Sequence, residues 1–207
     1  MAIGAQKNRE GRAKRAAFTL IEMIIAITVF TIFIGFSISA YLAFHRADQD
    51  ALVVRSLLME GQGIMDKLSS AVKENRIAYS AYKDSVSGEN IETATLYLLS
   101  ADKKNIYVYS WNSDDQTLQL QAFDSTSGAP LDGYSNPIQL NSENAKVSYL
   151  EFKIFPSVDP YSSKNKQVDN VQFQPVATID MTMEIPGRAQ EKVSVSLHTA
   201  ATSRYYK

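Results

Sequence analysis

The stretch Phe18–Phe44, FTLIEMIIAITVFTIFIGFSISAYLAF, decides how this chain is organised. Glu22 is its one charged residue, and Met23–Phe44 is a run of twenty-two without a formal charge. At roughly 1.5 Å per residue that run makes a helix about 33 Å long, enough to cross a hydrocarbon core of about 30 Å. Thr28, Thr31, Ser37 and Ser39 can return their hydroxyls to the helix's own carbonyls. A long buried helix of a soluble protein is one other reading. A secretory signal peptide is another, but its apolar core spans only about 7 to 15 residues. A plain signal anchor fits the length and leaves Glu22 unexplained. A carboxylate at the start of an apolar helix is expensive in lipid unless it lies near the headgroups or meets a positive partner. A free amine at the start of a neighbouring helix is such a partner.

The block upstream is basic. Residues 1–17 carry Lys7, Arg9, Arg12, Lys14 and Arg15 against Glu10. A basic leader favours the cytoplasmic side and sends the chain after residue 45 outward. The whole chain has 21 Lys plus Arg and 22 Asp plus Glu, so without the leader 16 basic and 21 acidic residues remain. Nothing in that balance makes a polycation for nucleic acid. There is no cysteine, which excludes disulfides, thiolate catalysis and Cys-rich zinc sites. The two histidines, His45 and His198, leave little for a His-based metal centre.

Ala17-Phe18-Thr19-Leu20-Ile21-Glu22, with the basic leader before it and the apolar run after it, resembles the cleavage and methylation motif of the type IV pilin superfamily, pseudopilins included. In that family a prepilin peptidase cuts after a small residue, usually glycine, and methylates the new amino group. The resemblance implies cleavage between Ala17 and Phe18, N-methylation of Phe18, and a filament-assembly role for Glu22. Glu22 would pair with the N-terminus of a neighbouring subunit. Ala17 departs from the usual glycine but stays small. The implied partners are the prepilin peptidase, other pilin or pseudopilin subunits and the inner-membrane assembly platform. The implied location is the cytoplasmic (inner) membrane, crossed once, with the C-terminal head outside and later assembly into a filament.

Beyond Phe44 the pattern turns amphipathic. Ala51, Val54, Leu58, Met65, Leu68 and Val72 recur at helical spacing, and charged residues from Arg46 to Glu74 form the other side. The helix is expected to continue to about Arg76, with Gly61 and Gly63 as places for a bend. Residues 77–92 read as a loop. Strands are expected at Thr93–Leu99, Asn105–Trp111, Thr117–Phe123, Lys146–Phe155, Val176–Ile185 and Lys192–Thr199. In Lys146–Phe155, Val147, Tyr149, Glu151, Lys153 and Phe155 oppose Ser148, Leu150, Phe152 and Ile154. Turns are expected at Asn112–Asp115 and Pro186-Gly187-Arg188, and loops at 124–137 and 156–170. The expected fold class is α+β: a long N-terminal helix packed on an antiparallel β head, which is the pilin-like architecture. The domains read as a leader (1–17), a membrane and filament-core helix (18–44), an amphipathic helix (45–76) and a β-rich head (77–207). The order of elements is most similar to a J-type minor pseudopilin of type II secretion or the equivalent minor pilin.

The head offers little chemistry. Asp114 and Asp115 fit a solvated turn better than a catalytic pair. Asp159, Asp169, Asn165 and Asn170 are oxygen donors for calcium without regular spacing. His45 lies at the membrane exit, and His198 lies near a strand end with many serines, for which a serine-rich surface strand is a simpler account than a catalytic triad. Gly61-Gln62-Gly63 lies in a helical pattern, not in a phosphate loop. Tyr97, Tyr107, Tyr109 and Tyr149 fit β packing, and Lys103-Lys104 and Lys164/Lys166 are too short for a DNA site. No cofactor and no enzyme activity are expected. The sequence reads as a structural subunit, a minor pilin or pseudopilin. The alternatives are a non-polymerising membrane-anchored binding module, or a competence (DNA-uptake) pseudopilin.

Overall fold

The computed structural model describes residues 19–82, 86–87, 90–160, 174–186 and 192–204. The leader, Ala17 and Phe18 lie outside them, as do residues 187–191 of the expected Pro186-Gly187-Arg188 turn. The chain divides into two units, Met1–Asp48 and Gln49–Lys207. One helix, α1 (Leu20–Glu74), supplies the described part of the first unit and the opening of the second.

In the first unit α1 is apolar on every side and covered on none. Ile24, Phe30, Phe33, Phe36 and Phe44 are all exposed, Phe44 by 76%. Thr28, Thr31 and Ser37 donate their hydroxyls to the carbonyls of Ile24, Ile27 and Phe33 at 2.8–2.9 Å, so these polar groups need no outside partner.

In the second unit α1 becomes one-sided. Leu57, Gly61, Ile64, Met65, Leu68, Ala71 and Val72 are buried, at the three- and four-residue spacing of one helix face. Gly61 permits close approach: a Cβ there would run into Leu197 Cδ1 and lie 3.3 Å from Met183 Sδ. The expected bend is therefore a packing contact, and α1 passes through both glycines. The helix stops at Glu74, two residues short of the expectation, where Asn75 turns its own N–H and side-chain amide back to the Ala71 carbonyl.

Two five-stranded antiparallel sheets follow. The first has the order β1 (Arg76–Ile77), β4 (Thr95–Leu99), β5 (Asn105–Asn112), β6 (Thr117–Asp124), β7 (Ile138–Gln139). The second has the order β10 (Lys192–Thr202), β9 (Val176–Pro186), β8 (Lys146–Phe155), β3 (Asn90–Thr93), β2 (Val86–Ser87). Both sheets and α1 share one apolar core, including Leu68, Val72, Leu96, Leu98, Phe152 and Ile179. The indole N–H of Trp111 on β5 donates to the Val147 carbonyl on β8 at 2.9 Å, tying the sheets together. This is the expected α+β, pilin-like class, a long helix packed on an antiparallel β head.

Three expectations change. Residues 77–92 are not a plain loop, because they hold β2, part of β3 and a 3₁₀ turn, Tyr79–Tyr82. The strand expected at Thr93–Leu99 breaks at Ala94: β3 and β4 join different sheets, so the head is not one meander. In β8 the alternation slips at a bulge between Val147 and Tyr149. The extra residue, Ser148, puts Val147 on the buried side with Leu150, Phe152 and Ile154.

Two contacts fix the direction of α1 over the second sheet. Gly61 lies against Leu197, and the Asn75 carbonyl accepts a 2.7 Å bond from Ser203 Oγ. Fourteen helical residues and six strand residues each cover about 20 Å. Within the second unit, α1 and β10 therefore run side by side in the same direction.

Candidate functional site

Glu22 lies in the first turn of α1. The helix begins because Thr19 caps it: Thr19 Oγ1 accepts the Glu22 N–H at 3.3 Å, and the Thr19 carbonyl accepts the Met23 N–H at 3.2 Å. Thr19-x-x-Glu22 is the capping-box spacing, a signal that was in the sequence and that the motif reading passed over. Glu22 sits at the N-terminal end of the helix, a common position for an acidic residue. Its side chain is exposed, and Ile21 and Met23 beside it are 64% and 53% exposed. Between Leu20 and Phe44, Glu22 is the one charged residue on a stretch of exposed apolar side chains.

Residues 12–38 match a family described as the prokaryotic N-terminal methylation motif. The match runs from the basic leader into the apolar helix. Together they support assignment to the pilin and pseudopilin superfamily. No curated protein and no solved structure matches the chain. The motif implies processing by a prepilin peptidase and assembly with similar subunits. In this pilin-like chain α1 is the one helix, among the described residues, long and apolar enough to cross a membrane.

Among the described residues, other candidates take structural roles. Asp114 and Asp115 are exposed in the β5–β6 turn, held by Asn112: its side-chain amide donates to Asp115 Oδ2 at 2.8 Å and its oxygen accepts the Asp114 N–H at 3.0 Å. Asp169, Asn165, Asn170, Lys164 and Lys166 lie outside the described residues. Among the described residues no group of three or more His, Asp or Glu side chains could hold a metal ion. His45 stacks on Tyr41 one helical turn away, with centroids 6.2 Å apart.

His198 on β10 contacts Asp180 on β9, within a polar row on the outer face of the second sheet. Tyr149 belongs to that row, donating to Glu151 Oε2 at 2.8 Å, and is 45% exposed. Tyr149 is therefore not a packing tyrosine, whereas Tyr109 is buried and Tyr97 and Tyr107 pack on the core. Desolvation pushes the Tyr109 hydroxyl up to about 12, and burial raises Tyr82 further. Tyr82 stays neutral, and its oxygen accepts the Tyr97 N–H at 2.6 Å. Bonds from Lys192 and from Ser100 hold the Glu184 and Asp102 carboxylates below their usual range. The Tyr82, Glu184 and Asp102 side chains thus have partners inside the head, whereas no side-chain partner of Glu22 occurs among the described residues.

Proposed function

We propose that the chain is a structural subunit, a minor pilin or pseudopilin, of an envelope filament of the type IV pilus or type II secretion kind. The precursor is inserted in the cytoplasmic membrane by residues 18–44 with its head outside. A prepilin peptidase cuts between Ala17 and Phe18 and methylates the Phe18 amine. At the assembly platform the apolar segment leaves lipid for a bundle of like helices. There Glu22 meets the amine of a neighbour, since an unpaired buried carboxylate is strongly disfavoured.

The observation that carries this reading is the methylation motif at residues 12–38 leading directly into an uncovered apolar helix. A helix apolar all round is stable only within lipid or among other helices. The absence of cysteine and a head with ten strands among the described residues support a minor role. Expression with and without a prepilin peptidase tests the reading. Loss of seventeen residues and gain of one methyl should require the peptidase. A chain that stays whole beside an active peptidase is instead an anchored, non-polymerising module.

A further inference from the structure

β10 closes one edge of the second sheet, and its register with β9 is unbroken from Lys192↔Pro186 to Thr202↔Val176. One residue further, the Ser203 N–H donates to the Pro175 carbonyl at 2.9 Å. A bond between directly opposite residues marks the hydrogen-bonded pair, and the two pair types alternate along an antiparallel ladder. Counting back, Val193, Val195, Leu197, Thr199 and Ala201 turn their N–H and C=O groups to β9. Lys192, Ser194, Ser196, His198, Ala200 and Thr202 turn theirs to the open side.

The remaining sheet edges among the described residues are β1, β2 and β7, of two residues each. β10 has eleven, and no described strand lies beyond it. Short strands are the usual protection of an edge, and a long regular one is a template for pairing. Val193, Val195 and Leu197 are only half-buried although they pack on the core, as expected of a row that ends too soon.

We propose that the β10 edge accepts an extended segment of a different polypeptide, adding a strand to the sheet. That segment alternates apolar residues, set beside Val193, Val195 and Leu197, with small or polar ones beside Ser194 and Ser196. A second copy is the wrong occupant. Antiparallel pairing of two β10 strands reverses one α1 against the other, because α1 runs with β10. The two Gln49 ends would then point opposite ways, and both copies could not be anchored in one bilayer. Parallel pairing about a twofold axis turns one sheet over and sets the valine row against the Ser194–Ser196 row. The proposal rests on the filament-subunit reading, since it takes every copy to be anchored through residues 18–44.

The test compares the full chain in bilayer discs with the full chain co-purified with the other prepilin-motif proteins of its host. Amide exchange is followed in β10, and the N-terminus is sequenced in the same samples. Alone, the Ser194, Ser196 and His198 amides should exchange fast while Val195 and Leu197 stay protected. In the assembly the first three should slow at least tenfold. Ser196→Pro removes one open-side donor without touching the β9 ladder, and should lose the protection that Ser196→Ala keeps. The wild-type exchange decides the matter even if the proline variant does not fold. Fast open-side amides in a processed, co-purified chain overturn the edge proposal and leave the filament reading standing. So does a disulfide between two copies of Ser196→Cys in membranes holding this chain alone. A chain uncut and unassociated overturns both.

Discussion

The two halves of α1 use the same backbone and opposite logic. Leu20–Asp48 shows its apolar side chains to every direction, with Phe33 68% exposed. Gln49–Glu74 buries one face, with Leu68 and Val72 at 0%, although Leu52 and Met59 stay exposed. The second half is covered by its own chain, and the described part of the first is not. A helix continuous in geometry is thus divided by solvent. The division also separates two glutamates. Glu60, in the second half, has its partner in the same chain: its Oε1 accepts the Ser142 N–H at 2.6 Å and its Oε2 the Ser142 hydroxyl at 3.0 Å. Glu22, in the first, has no such partner on the described surface.

The sharpest way to break this contrast is to truncate one large apolar side chain in each half. Leu68→Ala should lower the stability of the head by about 2–5 kcal/mol, and Phe33→Ala should leave it unchanged. Denaturant unfolding followed by the single tryptophan, Trp111, reads both. The glycines repeat the contrast at smaller scale. Gly61→Leu forces Leu197 and Met183 aside and should cost about 1–3 kcal/mol. Gly35→Leu meets nothing within 4 Å and should cost nothing in the same assay. Gly63 is equally open, so Gly63→Ala should stabilise the helix by up to about 1 kcal/mol. Glu60→Ala removes both bonds to Ser142 and leaves its N–H to water, so it should cost at most about 1 kcal/mol, with faster amide exchange at Ser142.

The smallest expected effect concerns pH. The Asp124 carboxylate accepts the Ser127 and Thr126 N–H groups, at 2.8 and 2.9 Å, which holds its pKa below the usual range. A depressed folded pKa contributes stability above the unfolded value and loses it as pH falls through the folded one. The 124–129 turn should therefore hold at neutral pH and loosen below the ordinary carboxylate range. Thr126 and Ser127 amide shifts should report this. Asp124→Asn should remove the pH dependence.

Much of this was legible because hydrophobic pattern is a strong local signal. β8 occupies Lys146–Phe155 as expected, and β9 and β10 exceed expectation only at their ends. The run after Phe18 could be only a helix. What failed to show was what depends on distant partners. Ala94 looks like any strand residue, yet the chain changes sheets there. Ser148 keeps the alternation on paper while a bulge turns it over. Gly61 looked like a weak point in a helix, because Leu197 lies 136 residues away in sequence. Of the candidate site, the isolated charge of Glu22 in the apolar run was legible, while its assembly role is implied only by the family resemblance. The Thr19 cap that starts its helix was legible too, by a rule the motif overshadowed. The open side of β10 was not, since edge position is a property of the sheet.

The central claim is that the first half of α1 exchanges lipid for neighbouring helices and that Glu22 is satisfied by a neighbour's amine. It is tested most directly by following Glu22→Leu through insertion and incorporation in the same cells. Leaving the partner amine unpaired should cost about 3–5 kcal/mol at assembly, so insertion should equal wild type while incorporation falls at least tenfold. Equal incorporation of Glu22→Leu and wild type would contradict it.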